Sequence, residues 1–149
     1  MESMFNPADR DAIALRLAEL EPNATRQWGK MDPAQMLRHC AVGLESAMAP
    51  EPMKQAFLGK LLTPFLRGKV FGPKPFSRNV PTDPTFVVAD PRDFDAERAR
   101  LATLIDRFIQ RGPDQAAKAI HPFFGRLSGA EWGRLMYKHF DHHLRQFGL

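Results

Sequence analysis

Apolar side chains recur along this chain at helical spacing, and proline-rich breaks separate the stretches that carry them. Asn6-Pro7 supplies a capping side chain followed by proline at the first helical position. Ile13, Leu15, Leu17 and Leu20 extend that helix to about Glu21, where Pro22 and Asn23 stop it. Asp32-Pro33 repeats the cap-plus-proline signal and predicts a second helix to about Ala49, ended by Pro50 and Pro52. In residues 53–71, Met53, Phe57, Leu61 and Phe65 fall at i+4 steps with Leu58, Leu62 and Leu66 beside them. Pro64 removes a backbone donor there, so a kinked or split helix is expected.

From Gly72 to Asp93 the pattern breaks down, with prolines at 73, 75, 81, 84 and 91. This predicts a long irregular crossover, with Phe86-Val87-Val88 as a short extended piece; such loops are uncommon unless they shape a site or are disordered. Asp93 to Gly112 reads as a helix with Leu101, Leu104, Ile105 and Phe108 on one stripe, closed by Gly112-Pro113. Residues 114–127 read as irregular or weakly helical. Ser128 with Glu131 three residues later forms a capping-box pattern opening a last helix to about Phe147. Four main helices, an extra amphipathic segment and almost no strand signal predict an all-α bundle.

A length of 149 residues and 44% apolar composition suit one globular domain, 1–149, and leave no run able to span a bilayer. The N-terminus has no secretion signal, and the lone Cys40 cannot form an internal disulfide, so a cytoplasmic location is expected. The formal charge of +4 is uneven. Residues 51–80 hold Lys54, Lys60, Arg67, Lys69, Lys74 and Arg78 against Glu51 alone. That segment therefore carries +5 and the remainder −1. Such a patch attracts nucleic acid, anionic lipid or an anionic substrate, or is simply a solvated surface, which is the commoner case. The expected break at Pro64 argues for packing over the bundle mouth, so no nucleic-acid or membrane partner is expected.

The chemistry-bearing residues are the histidines. On a helical wheel with His139 at zero, His143 falls at about +40°, Trp132 at +20°, Gln146 at −20° and His142 near −60°. His139 and His143 therefore sit mid-stripe on the face meant for the core, while Asp141, Arg134 and Arg145 point away. Two buried imidazoles need partners, either a metal ion or hydrogen bonds. The metalloprotease pattern, with its glutamate between the histidines, is absent. His39, with Gln35 one turn before it, is either a core histidine bonded to a carbonyl or a partner to the pair from a facing helix. His121, before Pro122, reads as a turn residue or a group behind the ligands. Cys40 reads as a small buried hydrophobe rather than a nucleophile.

Trp28-Gly29-Lys30-Met31, Gln35-Met36-Leu37-Arg38-His39-Cys40, His121-Pro122-Phe123-Phe124-Gly125 and the run from Trp132 to Gly148 together resemble an uncharacterised bacterial family of the DinB-like superfamily. The resemblance covers most of the chain and is weakest over 50–93. It implies a four-helix bundle with a long crossover between helices 2 and 3, and a metal ion held by His39, His139 and His143. Activities in that superfamily include metal-dependent thiol transfer and amide-type hydrolysis. A small-molecule substrate and a possible homodimer are expected from it. Three imidazoles suit zinc or nickel, with copper and iron compatible, and leave a position open. Gln35, His121, His142 and Gln146 are the candidates behind the ligands or on the substrate side, since no Asp or Glu falls within the stripe. A non-catalytic metal or ligand binder and a basic membrane or nucleic-acid module stand as alternatives.

Overall fold

A computed structural model describes residues 1–49, 54–79 and 84–149, with Leu58 described by its backbone only. The expectations placed on Pro50, Pro52, Met53 and Pro81 lie outside the described residues. The architecture is helical: α1 (Pro7–Ala18), α2 (Pro33–Ala47), α3 (Phe57–Phe71), α4 (Phe94–Ala116) and α5 (Gly129–Gln146). The caps act as the sequence requires. Asn6 accepts from the Ala8 and Asp9 amides, and Asp93 accepts from the Ala96 amide. Reciprocal capping boxes link Asp32 with Gln35 and Ser128 with Glu131.

Helix α2 packs on α4 and α5, and α5 also contacts α1, α3 and α4. Their apolar stripes meet in one core around Trp132, Phe108, Phe140, Met36, Leu37, Leu44, Leu101 and Leu144, all essentially inaccessible. Ile13 of α1 and Leu20 just beyond it reach this core, whereas Leu15 stays on the surface.

Several expectations need correction. Of the kinked and split alternatives for α3, the split is not seen: the helix continues through Pro64. Gly112, at φ 72°, breaks the helical path of α4 as its sequence suggests, but Pro113 restarts it for one further turn. Phe86 closes a 3-10 turn, Pro84–Phe86, instead of forming an extended piece. A two-stranded hairpin that the pattern did not reveal pairs β1 (Ile120–His121) with β2 (Gly125–Arg126). Strands of two residues are too short for alternation to register.

Arg134 and Asp141 also depart from their places on the wheel. Arg134 is buried and donates to the Gly72 carbonyl at 2.9 Å. Lys138, likewise buried, donates to the carbonyls of Lys69, Val70 and Gly72. Two cations of α5 thus satisfy the open carbonyl end of α3, where the helix dipole favours positive charge. Asp141 faces α1 and pairs with Arg16 at 2.9 Å. The wheel marked these residues as outward because it did not foresee elements packed on a second side of α5. The near end of α3 is fixed to the hairpin: the Ala56 amide donates to the Pro122 carbonyl, and Gln55 and Thr63 donate to that of Phe123.

Candidate metal centre

The second turn of α2 and the last two turns of α5 face one another, and three imidazoles meet between them. The ring centroids of His39, His139 and His143 lie 4.7–4.9 Å apart. One ligand-capable nitrogen from each falls within 4.8 Å of the others. Nε2 of His39 and Nε2 of His139 are 2.9 Å apart. His39 and His143 are buried, while His139 keeps partial exposure.

The other ring nitrogens determine which way the lone pairs face. His39 Nδ1 lies 2.9 Å from the Phe86 carbonyl oxygen. A carbonyl can only accept, so Nδ1 carries the proton and Nε2 presents its lone pair to the cluster. His143 Nδ1 lies 3.1 Å from Gln146 Oε1. The Gln146 amide is oriented by its other end, since Nε2 donates to the Trp28 carbonyl at 2.7 Å. Its oxygen therefore faces His143, whose Nδ1 is protonated and whose Nε2 is free to bind. Orientation of ligating imidazoles by carbonyl or amide oxygens behind them is the usual support of a metal site.

Two glycines make room for this arrangement. A Cβ on Gly43 would lie 3.3 Å from His139 Cε1, so a larger residue would push the ring. Gly29, at φ 81°, carries the loop over Gln146, and a Cβ there would collide with the Gln146 amide. The Trp28-Gly29 dipeptide is thereby tied to His143 through one glutamine.

Burial shapes the charge state. Desolvation pushes the His143 imidazole down to about 3. Burial also lowers His39, against a supporting bond to Phe86, and lowers His139, on which His143 and His39 add mutual repulsion. All three rings are thus kept neutral, which is the form that ligates metal. Tetrahedral bonds of about 2.1 Å require donor atoms roughly 3.4 Å apart. The cluster spans that value, from 2.9 Å to at most 4.8 Å, so modest ring rotations would close it on an ion. The cluster contains no carboxylate. The donor set fits a divalent metal with at least one position left open.

Of the supporting candidates, Gln146 alone touches a ring of the trio through a hydrogen bond of its side chain. His142 stacks edge-on to His143 with centroids 5.1 Å apart and lies against Trp28 and Phe76. Desolvation, then Arg145, lowers its pKa. Gln35 is not brought into the cluster. Its Oε1 accepts from the Asp32 amide and its Nε2 donates to the Ala89 and Asp90 carbonyls, so it anchors the crossover. His121 serves its turn: Nδ1 accepts the Phe123 and Phe124 amides at 3.0 and 3.1 Å, and the ring lies against Trp132. Burial pushes it down to about 4.

Glu45 is held by Arg38 and Arg100. Although burial opposes it, these two guanidiniums keep its carboxyl below the ordinary range. Cys40 is fully buried against the Met36 sulfur, and burial pushes its thiol well up, so it is inert. The Phe86 carbonyl is the contributor that sequence reasoning missed. Every residue carries a carbonyl, so no residue type could have signalled it.

No curated protein and no solved structure matches the chain. A family model described as protein of unknown function (DUF1569) matches residues 4–148, and the chain belongs to that family.

Proposed function

We propose that this protein is a DinB-like four-helix metal protein that binds one divalent ion, zinc or nickel, through His39, His139 and His143 and uses it in thiol transfer or hydrolysis on a small molecule. The convergence of three neutral imidazoles, two of them with their Nδ1 protons held from behind, is the observation that carries this reading. Structural zinc sites close with four protein ligands, whereas three leave room for a reactant. The ion would supply Lewis acidity, which makes water or a thiol a stronger nucleophile near neutral pH. Phe86 and Gln146 would hold two of the rings in register, and the partial exposure of His139 would leave the approach for substrate. The resemblance to the DinB-like superfamily supports the four-helix reading and the two reaction classes.

A second reading, a metal or small-ligand binder without catalysis, is favoured by one observation. The cluster holds no carboxylate to act as a general base, and Glu45 is committed to two arginines. Metal-loaded protein assayed with small thiols plus electrophilic acceptors, and with small amides, separates the two. Turnover in wild type that disappears in His139→Ala supports the enzyme. Absence of turnover in protein that holds stoichiometric metal supports the binder.

A further inference from the structure

Helix α3 half-buries one side and leaves the other uncovered. Phe57, Leu61 and Phe65 are 84%, 60% and 77% exposed and succeed one another at i+4 steps. With Leu61 at zero on the wheel, Phe57 and Phe65 fall at about −40° and +40°, Gly68 at −20° and Pro64 at −60°. Lys69 lies at about +80° and Lys60 at about −100°, so a lysine flanks the apolar crest on each side. Both lysines are exposed, as are Lys54 and Lys74 at either end of the helix. Residues 54–79 contain no acidic side chain. Of the two arginines in this stretch, Arg67 pairs with Glu131 and Arg78 stacks on Trp28, so the lysines are the cations facing outward. Helix α3 does not split at Pro64, so its apolar crest lies on one helix from Phe57 to Phe65.

We infer that the outer face of α3 is a docking surface for an anionic phospholipid bilayer, with Phe57, Leu61 and Phe65 entering the interface and the lysines reaching phosphate. Charge selects this occupant. A second copy would meet the face isologously and bring two lysine-flanked faces without acidic side chains together, like charge against like. The three crest residues offer roughly 400 Å² of apolar surface, taking about 200 Å² for a phenylalanine. A peptide helix is received in a groove, whereas the outer face of a helix standing on the bundle is a convex ridge. A ridge with an apolar crest and lysines on both flanks is the form that lies in a membrane interface, where lysine stems follow the apolar surface and the ammonium reaches headgroups. No described helix is long and apolar enough to cross a membrane, so attachment would be to one leaflet.

The test is cosedimentation of the full chain with vesicles of phosphatidylcholine alone or mixed with phosphatidylglycerol, at low and high salt. Binding is expected to the mixed vesicles, to weaken with salt and to be far lower on the neutral ones. Phe57→Ser with Phe65→Ser should reduce it about tenfold or more, and Lys60→Glu with Lys69→Glu should do the same. These side chains are exposed, so thermal midpoint and metal content serve as folding controls and should not change. Failure to bind the mixed vesicles overturns the inference. So does binding that survives the serine substitutions, because charge alone would then suffice. A concentration-dependent dimer abolished by Leu61→Asp would assign the face to a second copy and overturn it as well.

Discussion

The inner face of α5 and the outer face of α3 break the usual segregation of polar and apolar side chains in opposite senses. On α5, His139 and His143 stand in a stripe otherwise filled by Trp132, Leu135 and Met136. On α3, Phe57, Leu61 and Phe65 stand in water among lysines. A buried polar group costs free energy until it finds a partner, and an exposed apolar ridge forgoes burial that the fold could have gained. We read each departure as a surface for something outside the chain: an ion for the first and a lipid interface for the second. The first is also supported from behind by Phe86 and Gln146.

If the comparison is right, altering α5 should change metal binding and leave vesicle binding alone. The largest effect is expected for His139→Ala. Metal at a thousandfold excess over Kd should stabilise the wild type by about 4 kcal/mol, on the order of 10 °C in Tm, and should leave the variant unmoved. Calorimetric scans with and without zinc or nickel read both outcomes.

Gln146→Leu should weaken metal binding by about 10- to 100-fold, since His143 loses the acceptor that orients it. Gln146→Glu keeps that acceptor and should retain most of the affinity while losing the donor to Trp28. Competition titration against a chromophoric chelator distinguishes them.

His121 adds an acid sensitivity of its own, outside the three imidazoles of the cluster. Its folded pKa, about 4, is depressed below the ordinary imidazole value of 6.5. The unfolded chain therefore binds more protons between those values. The contribution of neutral His121 is complete above about pH 6.5 and is lost as pH falls toward 4. Protonation of Nδ1 would also displace the Phe123 and Phe124 amides. His121→Asn keeps an acceptor for the turn and should flatten that part of the pH–stability curve by on the order of 1 kcal/mol. Denaturant midpoints at pH 7 and pH 4.5 measure it.

Gly43→Ala is the mildest of the set. Its Cβ would press on His139 at 3.3 Å, and a few-fold loss of metal affinity with little change in stability is expected. The same chelator competition checks it.

Much of this was legible in the sequence, for physical reasons. The caps at Asn6, Asp32 and Ser128 are local signals, read from an adjacent proline or from a glutamate three residues on, and the helices begin where they indicate. The pairing of His139 with His143 follows from one helical turn. The approach of His39 to that pair depends on how α2 and α5 cross, which periodicity does not encode; the family resemblance supplied it. Support for the rings was half legible: Gln146 shares their stripe, whereas Phe86 acts through a backbone atom. Gln35 shows the reverse error. Its place one turn before His39 suggested the site, but its reciprocal bond with Asp32 takes the side chain out to the crossover. The outward placement of Arg134 and the split at Pro64 failed because α3 packs along α5 as an unbroken helix.

The central claim is that three imidazoles hold one ion. Protein purified without a histidine tag, saturated with zinc or nickel, desalted and analysed by elemental mass spectrometry tests it most directly. One ion per chain in the wild type and almost none in His139→Ala is the expected result. A wild-type chain that emerges without metal, or a variant that retains it, would contradict the account.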